Sequence, residues 1–142
     1  MRLLLLLLLV PNTLALPLHA VSKNRFKHAK LRFGLTELVQ IHHIVPREFR
    51  KHDLVREVSP IWQMERGENF MFMPSKKGML TLNTRRFCHE GGHPAYNDYV
   101  LSQLNRIVTT PREARLQEFT QFVANLRRTL TTKPGDIPWR DH

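Results

Sequence analysis

The stretch Gln40-Ile41-His42-His43-Ile44-Val45-Pro46 is the most informative part of this chain. Its β-branched and apolar residues predict a strand within residues 35–45, and Pro46 ends that strand because proline cannot donate to a β-ladder. Adjacent side chains on a strand point to opposite faces. His42 and His43 therefore cannot both serve core packing. One of them is expected to face a polar group such as a metal, a phosphate or water.

A second histidine cluster, His89-Glu90-Gly91-Gly92-His93-Pro94, follows a short apolar strand predicted over Asn69 to Met73 and stopped by Pro74. Pro94 suits the first position of a helix, where its missing N–H costs nothing. The two intervening glycines place His89 on the preceding loop, while His93 and Asn97 share the first helical turn. Either His89 or Asn97 could then be the third ligand of a metal site, and the spacing leaves both open.

Two C-terminal helices are predicted. The first runs from Pro94 to Val108, and the second starts at Thr110-Pro111 and carries an amphipathic stripe from Leu116 to Leu130. Two strands followed by helices indicate an α+β fold. We divide the chain into a leader (1–20), a basic N-terminal arm that can form a short helix (21–34), a central domain (35–131) and a C-terminal tail (132–142).

The composition favours a polyanionic partner. The 142 residues include 22 Lys and Arg against 12 Asp and Glu, a formal charge of +10. Net charge bears on partners rather than on fold, so the expected partner is a polyanion, which can be DNA, RNA or an anionic membrane surface. Of the nucleic acids, we expect DNA before RNA. The basic residues that we expect to contact phosphates are Arg47, Arg50, Lys76, Lys77, Arg85 and Arg86.

Cys88 is the single cysteine of the chain. This count excludes an intramolecular disulfide and a multi-cysteine zinc site. A metal ion would therefore be held mainly by histidine, carboxylate or amide side chains.

The first twenty residues have the layout of a signal peptide. Arg2 precedes an unbroken apolar run from Leu3 to Val10, and small residues follow at Ala15 and Ala20. The run is much shorter than the roughly 20 residues that a bilayer requires. We therefore expect secretion, with no stable membrane span after cleavage.

The histidines suit phosphodiester hydrolysis. That reaction needs a deprotonated water, stabilisation of charge on the phosphate, and help for the leaving oxygen. A divalent cation can supply the last two, and a histidine with an unperturbed pKa near 6.5 can supply the first.

The ordered pattern resembles a known family. His-His-Ile-Val-Pro, then Asn before an apolar strand ending in Pro-Ser, then His-x-x-x-His-Pro-x-Tyr-Asn-x-x-Val is similar to the AHH branch of the HNH/endonuclease VII superfamily. The resemblance covers about residues 35–107. Ile41 stands directly before the pair, where the branch name implies alanine.

The resemblance implies a small ββα-metal core, in which a hairpin and a helix hold one divalent ion (Mg, Mn, Ni or Zn). It implies His42 as a metal ligand and His43 as the general base. Asn69 would hold the segment that bears the base, and His93 with His89 or Asn97 would complete the metal site. Members of this branch often occur as toxin domains of secreted bacterial systems, so an immunity or inhibitor protein is a further expected partner.

The function that we expect is a secreted, metal-dependent endonuclease with little sequence preference, and two other functions compete with it. The histidines could instead hold a structural metal in a non-catalytic, cationic nucleic-acid-binding module, which would favour a closed four-ligand site. Alternatively, residues 111–130 could form a membrane-active amphipathic helix, although such stripes usually pack on a core.

Overall fold

The computed structural model of the protein describes residues 17–140. Within this range the elements are helix α1, strand β1, helix α2, strand β2 and helices α3, α4 and α5, with several 3₁₀ turns between them. Their bounds are α1 Lys23–Arg32, β1 Val39–His43, α2 Asp53–Val58, β2 Phe70–Pro74, α3 Lys76–Thr81, α4 Pro94–Val108 and α5 Arg112–Thr132. The α+β prediction is confirmed. Most of the predicted leader (residues 1–16) and the last two residues of the tail lie outside the described residues.

The two strands form an antiparallel sheet whose register pairs His43 with Phe70 and Val39 with Pro74. The long connection between them, residues 44–69, contains α2. Strand β1 covers only part of the predicted region, because residues 35–38 form a turn instead, in which the N–H of Val39 bonds to the carbonyl of Leu35. The hairpin and α4 together form the small ββα core.

The sheet separates two hydrophobic clusters. Strand β2 is buried along its whole length. Its alternate side chains divide between the clusters, with Phe70 and Phe72 in the smaller one and Met71 and Met73 in the larger one. This division follows the two-residue period of a strand. The two faces of the sheet therefore pack against different clusters. His42 and His43 lie on opposite faces, so their surroundings differ as well.

Helix α1 covers the smaller cluster. The predicted basic arm is a helix that buries Phe26 and Ala29 and leaves most of its charges outside. The Phe26 ring contacts Phe70 edge-on at 5.5 Å and Phe72 at 5.3 Å between ring centroids. This residue range is consequently part of the folded unit rather than a free arm.

Helices α4 and α5 cover the larger cluster. Each buries four residues along one face, which confirms both predicted helices; they are Tyr96, Val100, Leu104 and Ile107 in α4, and Phe119, Val123, Leu126 and Leu130 in α5. Arg127 of α5, which is partly buried, donates hydrogen bonds to the backbone carbonyls of Phe70, Gly67 and Glu68. The C-terminal helix is thereby fixed to the start of β2.

One segment differs from the predictions. The loop expected over residues 75–92 contains α3, whose Gly78 lies so close to the backbone that an added Cβ would stand 1.9 Å from the carbonyl oxygen of Leu38. The predicted tail, which sequence allowed to be either ordered or frayed, is ordered up to residue 140, since Ile137 and Trp139 are both buried in the larger cluster. Among the described residues, the structure has no helix that is both long and apolar enough to span a membrane.

Candidate metal centre and catalytic histidine

Three histidines meet at one end of the sheet. His42 comes from β1, His89 from the loop after α3, and His93 from the residue before α4. One ring nitrogen of each lies within 4.8 Å of the others. His42 Nδ1 and His89 Nε2 are 3.1 Å apart. The structure thus brings together three of the four predicted metal ligands.

Amide side chains orient two of these rings. His89 Nδ1 lies 2.8 Å from Gln40 Oε1, and His93 Nδ1 lies 3.0 Å from Asn97 Oδ1. An amide oxygen only accepts hydrogen bonds, so Nδ1 of each histidine carries the hydrogen and donates it. Nε2 of His89 and of His93 is then left with its lone pair, which is the form that a metal ion requires.

Asn97 supports the cluster without entering it. Its Nδ2 donates to the Glu48 carboxylate, which can only accept, so the Asn97 oxygen must be the atom that faces His93. Of the two residues that sequence left open as the third ligand, the geometry therefore favours His89. Gln40 and Glu48 were missed, although Gln40 lies two residues before His42 and so on the same face of β1.

Burial keeps His42 and His89 neutral. His42 is only 1% exposed. Burial lowers its pKa well below the usual value, and the charges of His89, His93 and His43 lower it further. Burial together with the charges of His93 and His43 likewise lowers the pKa of His89 to about 4. Both imidazoles are therefore in their neutral, ligand-competent form at neutral pH.

His43 faces the other side of the sheet. Its ring packs edge-on against Phe70 at 4.9 Å between centroids, and its Nε2 lies 3.0 Å from Glu65 Oε1. Burial lowers the pKa of His43, while the hydrogen bond and the charge of Glu65 raise it, and the net shift is downward. Glu65 also forms ion pairs with Arg47 at 3.3 Å and Lys23 at 3.8 Å.

Asn69 joins the start of β2 to the end of β1. Its Oδ1 accepts from the N–H of Val45 at 2.7 Å, and its Nδ2 donates to the carbonyls of Val45 at 3.1 Å and Met64 at 3.0 Å. Asn69 is fully buried. It therefore fixes the chain two residues after His43. This position is compatible with the role that the resemblance implied for Asn69, which is to hold the segment that bears His43.

The predicted phosphate contacts separate into two groups. Arg47, Arg50, Lys76, Lys77 and Arg85 are exposed. Arg86 is instead 6% exposed, and it donates to the carbonyl of Phe72 at 2.6 Å and to Thr131 Oγ1 at 3.1 Å. Arg86 is thus a structural residue that links β2 to α5, which corrects its placement among the surface cations.

A family model described as a nuclease family of the HNH/ENDO VII superfamily with conserved AHH matches residues 19–130. The chain belongs to the AHH nuclease family. No curated protein and no solved structure matches it. The match begins before α1 and runs through most of α5, so it extends well beyond residues 35–107, where the sequence pattern was recognised. Nuclease function is accordingly supported at the level of the family.

The AHH signature is altered at its first position. Ile41 replaces the alanine, and its side chain packs against the smaller cluster rather than against the histidines. The replacement therefore leaves the three-histidine cluster intact. Cys88 is adjacent to His89, yet the group of candidate ligands among the described residues is made of histidines alone.

Proposed function

We propose that this chain is a metal-dependent endonuclease that hydrolyses phosphodiester bonds of DNA, with RNA as the second substrate. One observation carries the proposal: the histidine pair is divided between the two faces of β1. His42 contributes to a cluster of three imidazoles, while His43 is bonded to a carboxylate. Membership of a nuclease family gives this division its chemical context.

The three-histidine cluster fits a divalent cation. His42 Nε2 is buried and has no hydrogen-bond partner. Coordination of a cation by this nitrogen itself would satisfy it, whereas an unsatisfied buried polar atom costs about 1–3 kcal/mol. Imidazole donors suit Zn²⁺ or Ni²⁺ better than Mg²⁺ or Mn²⁺, which prefer oxygen ligands. Such a cation would neutralise charge that develops on the scissile phosphate and the leaving oxygen.

His43 is suited to act as the general base. Because the Glu65 carboxylate only accepts hydrogen bonds, His43 Nε2 carries the hydrogen and Nδ1 keeps its lone pair. Nδ1 can then accept a proton from the attacking water, and Glu65 stabilises the imidazolium that results. Asn69 limits the movement of His43 by holding Val45 through both its N–H and its carbonyl.

The surface charge supports a nucleic-acid substrate with little sequence preference. The chain carries a formal charge of +10, and five of the six predicted phosphate contacts are exposed. Contacts to phosphates position a protein on nucleic acid but carry no sequence information. Arg47 also pairs with Glu65, so one of these cations lies beside the catalytic histidine.

Secretion and a toxin role form a separate part of the proposal. They are supported by the apolar run Leu3 to Val10 behind Arg2, and a cationic nuclease of this kind would be matched by an acidic immunity protein. Detection of the chain in culture medium, shortened near Ala20, would test secretion. Retention of the full-length chain inside the cell would contradict it.

A plasmid assay tests the nuclease. The full chain is incubated with supercoiled plasmid, and separately with structured RNA, in Mg²⁺, Mn²⁺, Ni²⁺, Zn²⁺ or EDTA. We expect nicking that needs a divalent ion. His43→Ala is expected to lower the rate by about 10²–10⁴-fold, the usual contribution of general-base catalysis.

His28→Ala is the matched control, since His28 is exposed on α1. It should cleave like the unaltered protein. If His43→Ala also cleaves normally, the base is wrongly assigned. Absence of cleavage with every metal, combined with salt-sensitive DNA binding, would favour the non-catalytic binding module.

A further inference from the structure

The segment after α5 returns to the three-histidine cluster. It comprises residues 133–140, which begin with a 3₁₀ turn at Pro134–Asp136 and then bury Ile137 and Trp139 in the larger cluster. We call this segment the C-terminal strap. It lies beyond the residues that match the AHH family, which end at residue 130. Family membership therefore does not account for it.

Trp139 forms a wall of the histidine cluster. Its ring centroid lies 4.7 Å from that of His93, 5.3 Å from that of His42 and 6.5 Å from that of His89. The residue is only 7% exposed. Indole offers a hydrogen-bond donor and no lone pair suited to a metal, so Trp139 cannot be a ligand. It can exclude water and restrict the imidazole rings.

The strap also holds the loop that carries His89. Trp139 Nε1 donates to the carbonyl of Cys88 at 3.2 Å, and Arg140 Nη2 donates to the same carbonyl at 3.3 Å and to that of Glu90. These two carbonyls belong to the residues that flank His89 in the sequence. The opposite side of this loop is anchored by the N–H of His89, which donates to the carbonyl of Pro74 at 2.8 Å.

The His89 loop needs such anchors. No helix or strand contains His89, and Gly91 follows with φ +87°, in the left-handed region that glycine adopts without strain. A metal site whose ligands are already ordered loses less conformational freedom when it binds the ion. Outer residues that orient metal ligands typically change metal affinity by about 10–100-fold.

We propose that the C-terminal strap is a functional part of the metal site, in which Trp139 and Arg140 are positioning residues that hold His89 and His93 ready for a divalent cation. This inference rests on the proposed function, because it takes the three histidines as the ligands. It predicts that changes in the strap weaken the affinity for the ion and leave the chemical step intact once the ion is bound.

The test measures Zn²⁺ and Ni²⁺ affinity of the full chain by isothermal titration calorimetry. Arg140→Ala is expected to weaken binding by about 10-fold or more, and Trp139→Phe, which keeps a ring but loses the N–H, by a smaller factor. Arg140→Lys should recover part of the loss because lysine can still donate to the carbonyls. Arg128→Ala, which removes an exposed arginine of α5, is the charge-matched control and should bind like the unaltered protein.

Nuclease assays provide the second readout. Arg140→Ala should need more metal for half-maximal cleavage, yet approach the unaltered rate when the metal is saturating. Unchanged metal affinity in both Arg140→Ala and Trp139→Phe would overturn the role of the strap. His42→Ala separates the two proposals: if it binds metal as tightly as the unaltered chain, the three-histidine site itself is wrong, whereas lost binding in His42→Ala with normal strap variants rejects the strap alone.

Discussion

Glu65 Oε1 lies 3.0 Å from Nε2 of His43, on the face of β1 that is turned away from the three-histidine cluster. The Glu65 side chain is 48% exposed and is shared with Arg47 and Lys23. The contact can therefore serve the reaction without being a major source of stability, because ion pairs at this exposure contribute little to folding.

Glu65→Gln is expected to lower kcat by about 10-fold or more while it leaves metal affinity unchanged. The amide cannot stabilise the imidazolium as the carboxylate does, and general-base catalysis as a whole is worth about 10²–10⁴-fold. Steady-state kinetics on a labelled oligonucleotide duplex measure the effect. Glu113→Gln, an exposed residue in the first turn of α5, changes the net charge equally and should leave kcat unaltered. Equal rates for both variants would remove Glu65 from the mechanism.

Metal binding is expected to stabilise the fold through the same three histidines. A ligand at 100 times its Kd stabilises the native state by about 2.7 kcal/mol, if it does not bind the unfolded chain. Thermal unfolding of the unaltered protein should therefore shift upward by several degrees in Ni²⁺ or Zn²⁺ and return to its starting value in EDTA.

His89→Ala removes one ligand that is only partly buried, and it should abolish most of this upward shift. His28→Ala keeps all three ligands and should show the full shift. A full shift in His89→Ala would mean that the ion binds elsewhere.

Asn69→Ala is expected to destabilise the protein by about 2–3 kcal/mol, because it leaves the buried N–H of Val45 without its acceptor. Urea unfolding measures this change. Asn24→Ala, on the exposed face of α1, should cost far less. The loss of activity should exceed the loss of folded protein if Asn69 also positions His43, and activity that simply follows the folded fraction would limit Asn69 to a structural role.

Local sequence patterns predicted the two strands and the helix of the core, and the family resemblance predicted that they form a ββα unit. The β-branched and apolar residues around His42 and His43 predicted a strand, whose adjacent side chains point to opposite faces, and Pro94 correctly marked the start of α4. Both inferences depend on steric rules that act over one to four residues. The predicted strand began too early. Residues 35–38 form a turn that depends on backbone hydrogen bonds, and these local rules do not predict such bonds.

The supporting residues of the site could not be predicted in this way. Glu65 reaches His43 from the far end of the interstrand connection, and Trp139 reaches His93 from beyond α5. No periodicity relates residues so distant in sequence. The position of Gln40 on the same face as His42 follows from the strand period. Its contact with His89 does not, because only the fold brings the His89 loop beside it.

Substitution of Arg47 should affect nucleic-acid binding, whereas substitution of Arg86 should affect stability, although sequence predicted both as phosphate contacts. Arg47 is exposed, so Arg47→Ala should weaken DNA binding and reduce the slope of log affinity against log salt by about 1, while stability changes little. Arg86 is buried and donates to Phe72 and Thr131, so Arg86→Ala should lower the free energy of unfolding by about 2–3 kcal/mol. Fluorescence-anisotropy titrations in a salt series and urea unfolding separate the two effects. A salt slope reduced equally by both variants, with stability unchanged in each, would place Arg86 on the binding surface after all.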